Sequence, residues 1–353
     1  METARPHKFL MSGLSLFLLL VLSPGCRLID DAVQHLTAAK QDELEAICQR
    51  RQLRVGITAE PFRPLFFPPI LTEQGLRVTG LDIELIRELR SALAQECRQE
   101  VVAPILHRVP LRDLFTSLNE GKIDVFVSAV GANVPAHNMA GVAYSLPYLF
   151  NGGIVGITKR PDVVDRVRAS LRTHGEGFDA RERALSGLTV AVQEGTGAHA
   201  YAIAQLTASR VVVVDSLPAA FEADDPTVDL ILGSHPVLKF VTTKVQTDWQ
   251  LITLESGRPF FLTKEHYAII MPEQSYKLRW LVNRLLLRLE ETGRLHDMQQ
   301  RWFDQDYAYP SRALTEGLLV AMETPARRSP HDFCHVGGYE HEFLDAKERG
   351  RCG

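Results

Sequence analysis

The stretch VSAVGANVPAHN, residues 127–138, holds a serine, a glycine, two asparagines and a histidine, and carries no formal charge. Such groups hold a polar guest through hydroxyl, amide and backbone hydrogen bonds rather than by ion pairing. Two further polar turns come later, QEGTG at 193–197 and GSHP at 233–236. In the first, Gly195 and Thr196 precede a helix-like run, so backbone N–H groups there can receive an anion and Thr196 can cap the helix. In the second, Ser234 offers a hydroxyl and His235 an imidazole. Phe62 and Arg63 stand together in EPFRPL, an aromatic face beside a guanidinium. This is the chemistry of capture. No serine–histidine–acid order, paired catalytic carboxylates or phosphate loop is present in a convincing context, and nothing marks Glu60 or Glu194 as a general acid or base. No catalytic residue and no cofactor is assigned.

These residues must be positioned by regular elements. LRVGIT (53–58) reads as a buried strand, and GLDIELIRELRSALAQEC (80–97) as a helix capped by Asp82, with Ile83, Ile86, Leu89 and Leu93 at helical spacing. EVVAPILHRV is a second strand, LRDLFTSLNEG a helix stopped by Gly121, and KIDVFVSAV a third strand. Strand–helix alternation of this kind predicts a parallel sheet covered on both faces. After YSLPYLFNGGIVGITKR the pattern restarts, with LTVAVQ, RVVVV and TVDLILG as strands and AHAYAIAQL, SLPAAFEA and HPVLKFV as helices. HYAIIM (266–271) reads as a strand returning to the first lobe, and two amphipathic helices follow, the first ended by Gly293. The expected fold is α/β, two lobes joined by two crossover strands. Open sheets of this type bind ligands at the carboxyl ends of their strands, where the three polar turns fall.

Composition narrows the function. The 353 residues are 45% hydrophobic and 23% charged, with a formal charge of −4, which disfavours nucleic acid as a partner. Arg5, His7 and Lys8 precede the apolar run FLMSGLSLFLLLVL, the pattern of a signal peptide over 1–25. LSPGC, ending at Cys26, resembles a bacterial lipobox, with Leu22 and Gly25 in place while Ser23 and Pro24 depart from the usual order. Lipidation of Cys26, simple cleavage before it and an uncleaved anchor all put the chain outside the cytoplasm, in the periplasm or on its membrane. Four more cysteines suit oxidising conditions, and the expected pairs are Cys48–Cys97 and Cys334–Cys352, each within one region of the chain. The tail histidines near Cys334 match no standard zinc spacing, so no metal is expected. The expected organisation is a tether or helix over 26–49, lobe 1 over 50–152 and 266–305, lobe 2 over 153–265, and a C-terminal extension over 306–353. Within that extension RALTEGLLVAMET is expected to be a helix against the first lobe.

LRVGIT, TGLDIELIREL, LFTSLNEGKIDVFVSAV, AYSLPYLF, LSGLTVAVQEGTGAHAY, VDLILGSHPVLKFV and LEETGRLHDMQQRWF follow one another in an order that resembles the extracellular solute-binding protein family 3, the polar amino-acid receptors of ABC importers. The resemblance spans roughly residues 50–304. It implies a periplasmic-binding-protein-like type II fold, a monomer that closes on a small polar ligand and docks on a membrane permease. It also implies ligand contacts from Phe62, from Ser128, Ala129 and Gly131 after the third strand, and from Gly195 and Thr196. Two departures stand out. The family's carboxylate-binding arginine falls at Ala136 or Asn138, depending on the direction of counting, and its ammonium-binding aspartate falls at Ser234. Charge could instead come from Arg63, His137 or His235, with Asn133 and Asn138 as polar contacts in the long loop. A sensory or scaffolding protein with a degenerate site is the alternative, and a dehydratase-type enzyme on the same fold a further one.

Overall fold

Alternation in the first strand sets the architecture. In β1 (Gln52–Thr58), Leu53, Val55 and Ile57 are almost fully buried on one face, as the period of two requires. On the other face a Cβ at Gly56 would lie 2.5 Å from the Ile123 side chain and 2.7 Å from the Phe126 ring. The computed structural model describes residues 42–58, 61–99, 102–110, 113–128, 130–132, 141–150, 152–222, 225–244 and 248–320, all within the unit Asp42–Gly353. Lobe 1 opens with α1 (Glu43–Arg50), β1, the hairpin of β2 (Ile70–Thr72) and β3 (Gly75–Val78), and α2 (Leu81–Glu96). It continues through β4 (Ala103–Val109), α3 (Leu114–Asn119), β5 (Val125–Phe126) and β6 (Val142–Leu149).

Lobe 2 comprises β7 (Ile154–Thr158), α4 (Pro161–His174), α5 (Phe178–Leu185), β8 (Thr189–Gln193), α6 (Gly197–Gln205), β9 (Arg210–Val214), α7 (Leu217–Glu222), β10 (Leu230–Ser234), α8 (His235–Lys244) and β11 (Gln250–Leu251). The chain returns as β12 (Tyr267–Pro272), then α9 (Tyr276–Glu291), α10 (Arg294–Phe303), α11 (Ser311–Glu316) and β13 (Leu318–Val320). The lobe 1 sheet has the order β4-β1-β5-β12-β6, and the lobe 2 sheet β11-β7-β10-β8-β9. Each lobe has its own core. In lobe 1 the largest apolar cluster joins β1, α2, α9 and α10; in lobe 2 two clusters cover opposite faces of the sheet, so every residue of β7 is buried.

The sheets are mixed rather than parallel. β1 runs parallel to β4 and β5, but β12 is antiparallel to both β5 and β6, and β7 is antiparallel to β10. The reason is topological. A chain that leaves one lobe for the other and comes back must place outgoing and returning strands side by side in opposite senses. Where they meet, a Cβ at Gly153 would lie 2.0 Å from the Thr263 carbonyl oxygen, and one at Gly152 would lie 2.5 Å from the Tyr267 ring, so only glycine admits this crossing.

Other departures are local. Asp82 does not cap α2. Gly80 occupies the cap position with φ +135°, while Asp82 sits inside the first turn, fully buried. KIDVFVSAV forms a strand only over Val125–Phe126 among its described residues, flanked by single backbone bonds from the Asp124 N–H to Arg54 and from the Val127 N–H to Gly56. The tail expected as one helix forms α11, breaks at Gly317 and pairs as β13 on β3. The β2–β3 hairpin and the helices α4 and α5 were not anticipated from periodicity. Cys48 and Cys97 are joined in a disulfide with their Cα atoms 5.2 Å apart. Cys26, Cys334 and Cys352 lie outside the described residues.

Candidate functional site

Between the lobes lies a cavity of about 520 Å³, within the usual range for small-molecule sites. Lobe 1 contributes Thr58 at the end of β1, Phe62, Phe115 on α3, and Ser128 just past β5. Lobe 2 contributes Gln193 at the end of β8, the 195–200 turn and first coil of α6, and Ser234 at the end of β10. Its floor is the crossing itself, with Glu265 and Tyr267.

The hydroxyls are specifically held. Ser128, 1% exposed, donates its Oγ hydrogen to Thr58 Oγ1 at 3.3 Å. The Tyr267 hydroxyl donates to the Gly152 carbonyl at 2.5 Å, and burial, then the Glu265 charge, push its ionisation far above the ordinary tyrosine range. Thr263 Oγ1 accepts from the Ile154 N–H at 2.9 Å and donates to Glu265 Oε1 at 2.7 Å. The Glu265 carbonyl accepts from the Gly152 N–H at 2.9 Å. These bonds pin the outgoing and returning segments together beneath the cavity.

Glu265 is 6% exposed. Burial raises its carboxyl above the usual carboxylate range, and the Thr263 hydroxyl partly offsets this. Among the described residues no ion pair involves Glu265. Ser234 Oγ is likewise shielded from solvent and interacts with the Tyr267 hydroxyl.

The turn before α6 is largely self-satisfied. Thr196 Oγ1 accepts from the His199 N–H at 3.2 Å and donates to the Gln193 carbonyl at 2.7 Å. The Gly195 N–H donates to His199 Nδ1 at 3.3 Å, so a neutral His199 carries its proton on Nε2. The Gly195 amide, expected to receive an anion, is therefore engaged within the turn.

Of the residues singled out from sequence, Phe62, Ser128, Gly195, Thr196 and Ser234 line this cavity. Phe62, 7% exposed, belongs to the apolar cluster of lobe 2 with Val155, Leu217 and Val237, although it departs from lobe 1. Gly131 does not line the cavity and bridges to Tyr267 in the crossing. Arg63 is placed elsewhere. Its guanidinium lies 5.8 Å from the Phe67 ring centre and 5.5 Å from that of Tyr309, in a separate hollow also lined by Phe240 and Trp302. Cation–π attraction there holds the arm that was expected over the cleft. His235 packs against Phe261 at 4.9 Å, and Glu194 is exposed. Ala129, Asn133, Asn138, His137 and Glu60 lie outside the described residues. Glu265, Tyr267 and Phe115 were not singled out from sequence. Tyr267 opens the strand that HYAIIM signalled, whereas Glu265 precedes it and carries no local signal.

Two α/β lobes, each with its own core, enclosing a polar-rimmed cavity across two crossing strands define a two-lobed solute-binding protein. Residues 53–305 match the family described as bacterial extracellular solute-binding proteins, family 3, and the chain belongs to that family. Solved structures similar to it include a mutant of ArgBP from T. maritima, with TM-score 0.58, 23% identity, and coverage of 74% of this chain and 100% of that one. A second is AbpA, an amino acid ABC transporter substrate-binding protein from Streptococcus pneumoniae bound to L-arginine, with TM-score 0.59, 21% identity, and coverage of 73% and 97%. A third is AncCDT-1, an ancestral amino acid-binding protein described as a precursor of cyclohexadienyl dehydratase, with TM-score 0.58, 21% identity, and coverage of 74% and 100%. No curated protein matches the chain. Among the described residues, no helix is long and apolar enough to cross a membrane, and no group of three His, Cys, Asp or Glu side chains could hold a metal.

Proposed function

We propose that this protein is an extracytoplasmic receptor that closes its lobes on a small polar, amino-acid-like solute and presents it to an inner-membrane ABC permease. The observation that carries this reading is the cavity lined from both lobes, with Thr58, Ser128, Gln193, Ser234 and Glu265 converging on one space. A solute spanning it would contact both lobes and so favour the closed arrangement by its differential affinity. AbpA, bound to arginine, supports an amino-acid-like solute. Export, and tethering through Cys26, belong to the same reading.

A thermal-shift screen of amino acids, amines and organic acids, followed by small-angle scattering with each hit, tests it. The expected result is a raised Tm and a smaller radius of gyration with at least one compound, recovered chemically unchanged. Conversion of the hit would instead support an enzyme, the reading to which the dehydratase precursor points. A flat response across the library would favour the sensory or scaffold reading, which rests on a specific departure: Ser234 stands where the family's ammonium-binding aspartate is expected.

A further inference from the structure

We infer that Glu265 is the recognition residue for a positively charged head group, and that the solute is a small organic amine or guanidine with an apolar body rather than a zwitterionic amino acid. The inference rests on the receptor reading above and names its ligand class.

Three observations converge. Glu265 lines the cavity, is nearly inaccessible to water, and receives only the Thr263 hydroxyl, with no cation paired to it among the described residues. A buried carboxylate without a counter-ion is unfavourable, and a ligand cation arriving in the cavity would supply the missing charge. Ser234 Oγ, shielded from solvent beside the Tyr267 hydroxyl, lines the same cavity and can accept a hydrogen bond from an ammonium or guanidinium N–H.

The second observation concerns what could hold an anion. Among the described residues no lysine or arginine lines the cavity, and Arg63 stacks in the separate hollow. At the α6 turn the Gly195 amide and the Thr196 hydroxyl are both spent on His199 and Gln193. Among the described residues no guanidinium offers a ligand carboxylate a bidentate pair here, which leaves only backbone amides at the start of α6 to receive one.

The third observation is the character of the walls. Leu114, Phe115, Ile154, Ile203, Leu217 and Leu232 surround the polar floor. They suit an apolar chain or ring, and the rings of Phe62 and Phe115 favour a cation nearby.

Calorimetric titration of the full-length protein with matched probes tests this. Phenethylamine and agmatine carry the cation alone, L-phenylalanine and L-arginine add the carboxylate, and 3-phenylpropionate carries only the acid. The expected result is that at least one amine binds roughly tenfold or more tighter than its parent amino acid, with no binding of the acid. Glu265→Gln, which keeps an acceptor for Thr263, should weaken that amine by roughly 30- to 100-fold. Should that variant misfold, Glu265→Asp withdraws the charge by one methylene and should cost about five- to tenfold. Tighter binding of an amino acid than of its amine, amine affinity untouched by either substitution, or no heat with any amine overturns the inference. In each of those cases the compaction screen still decides the receptor reading, because any solute that closes the lobes upholds it.

Discussion

Asp82 shows how far a single residue can depart from its sequence reading. As the expected cap of α2 it would sit in water; instead it is fully buried, accepts from the Tyr148 hydroxyl at 2.9 Å, and leaves Oδ2 unpartnered. Burial pushes its carboxyl from the ordinary 3.8 up to about 7. The sign of the linkage follows. Between these values the folded chain keeps a proton that the unfolded chain releases, so rising pH destabilises the fold across that window and has no further effect through this group above it. Asp82→Asn retains an acceptor for Tyr148 and abolishes the titration. Relative to the parent, the variant should gain stability from pH 5 to pH 8, by up to a few kcal/mol, read as the change in urea midpoint difference. An equal difference at both pH values would remove Asp82 from the account. Among cavity residues, Ser128, Thr196 and Ser234 were legible because each follows a recognisable strand in a polar turn. Glu265 was not, because its importance comes from burial beneath a crossing, and local sequence does not report burial of an isolated carboxylate.

At the scale of elements, lobe 1 is bound together at its amino-terminal end by covalent and ionic links. The Cys48–Cys97 disulfide joins α1 to the end of α2 across a separation of 49 residues. Asp124, fully buried, accepts from the Arg54 side chain and backbone and pairs with Arg50 of α1. A loop of this length corresponds to a disulfide contribution of about 4 kcal/mol. Replacing both cysteines by alanine should lower Tm by roughly 5–10 °C. Affinity for a cavity ligand should be unchanged, because neither α1 nor α2 lines the cavity; a parallel loss in titration would show that these helices do position the site. Strand–helix order along both lobes was legible from periodicity. The antiparallel placement of β12 was not, since strand sense is fixed by where the chain travels between lobes. The β13 pairing was equally hidden, because LLV after a glycine reads as well as a helix end.

At the scale of the molecule, the lobes also touch outside the cavity. Phe240 of α8 packs edge-on against Phe67 of lobe 1 at 5.8 Å. Beside it Lys244 pairs with Asp306 at 2.7 Å and Lys239 with Asp304 at 3.5 Å. These contacts bias the lobes toward the arrangement seen here without touching a solute. Lys239→Ala with Lys244→Ala should shift the ligand-free interlobe distance distribution, measured by spin labels on each lobe, and weaken binding by less than about fivefold, since the pairs are exposed. High salt should mimic the substitutions in the parent protein; a distribution insensitive to both would show that the apolar contact alone sets the lobe angle. The sequence by itself determined the two α/β lobes, their order and the turns that face each other, because hydrophobic period and turn chemistry are local properties. Only the tertiary structure decided the charge of the site. It turned Arg63 aside onto aromatic rings, occupied the Gly195 amide with His199, and left Glu265 buried with no counter-ion among the described residues. Each of these outcomes depends on which distant groups the crossing of two strands brings within hydrogen-bond reach.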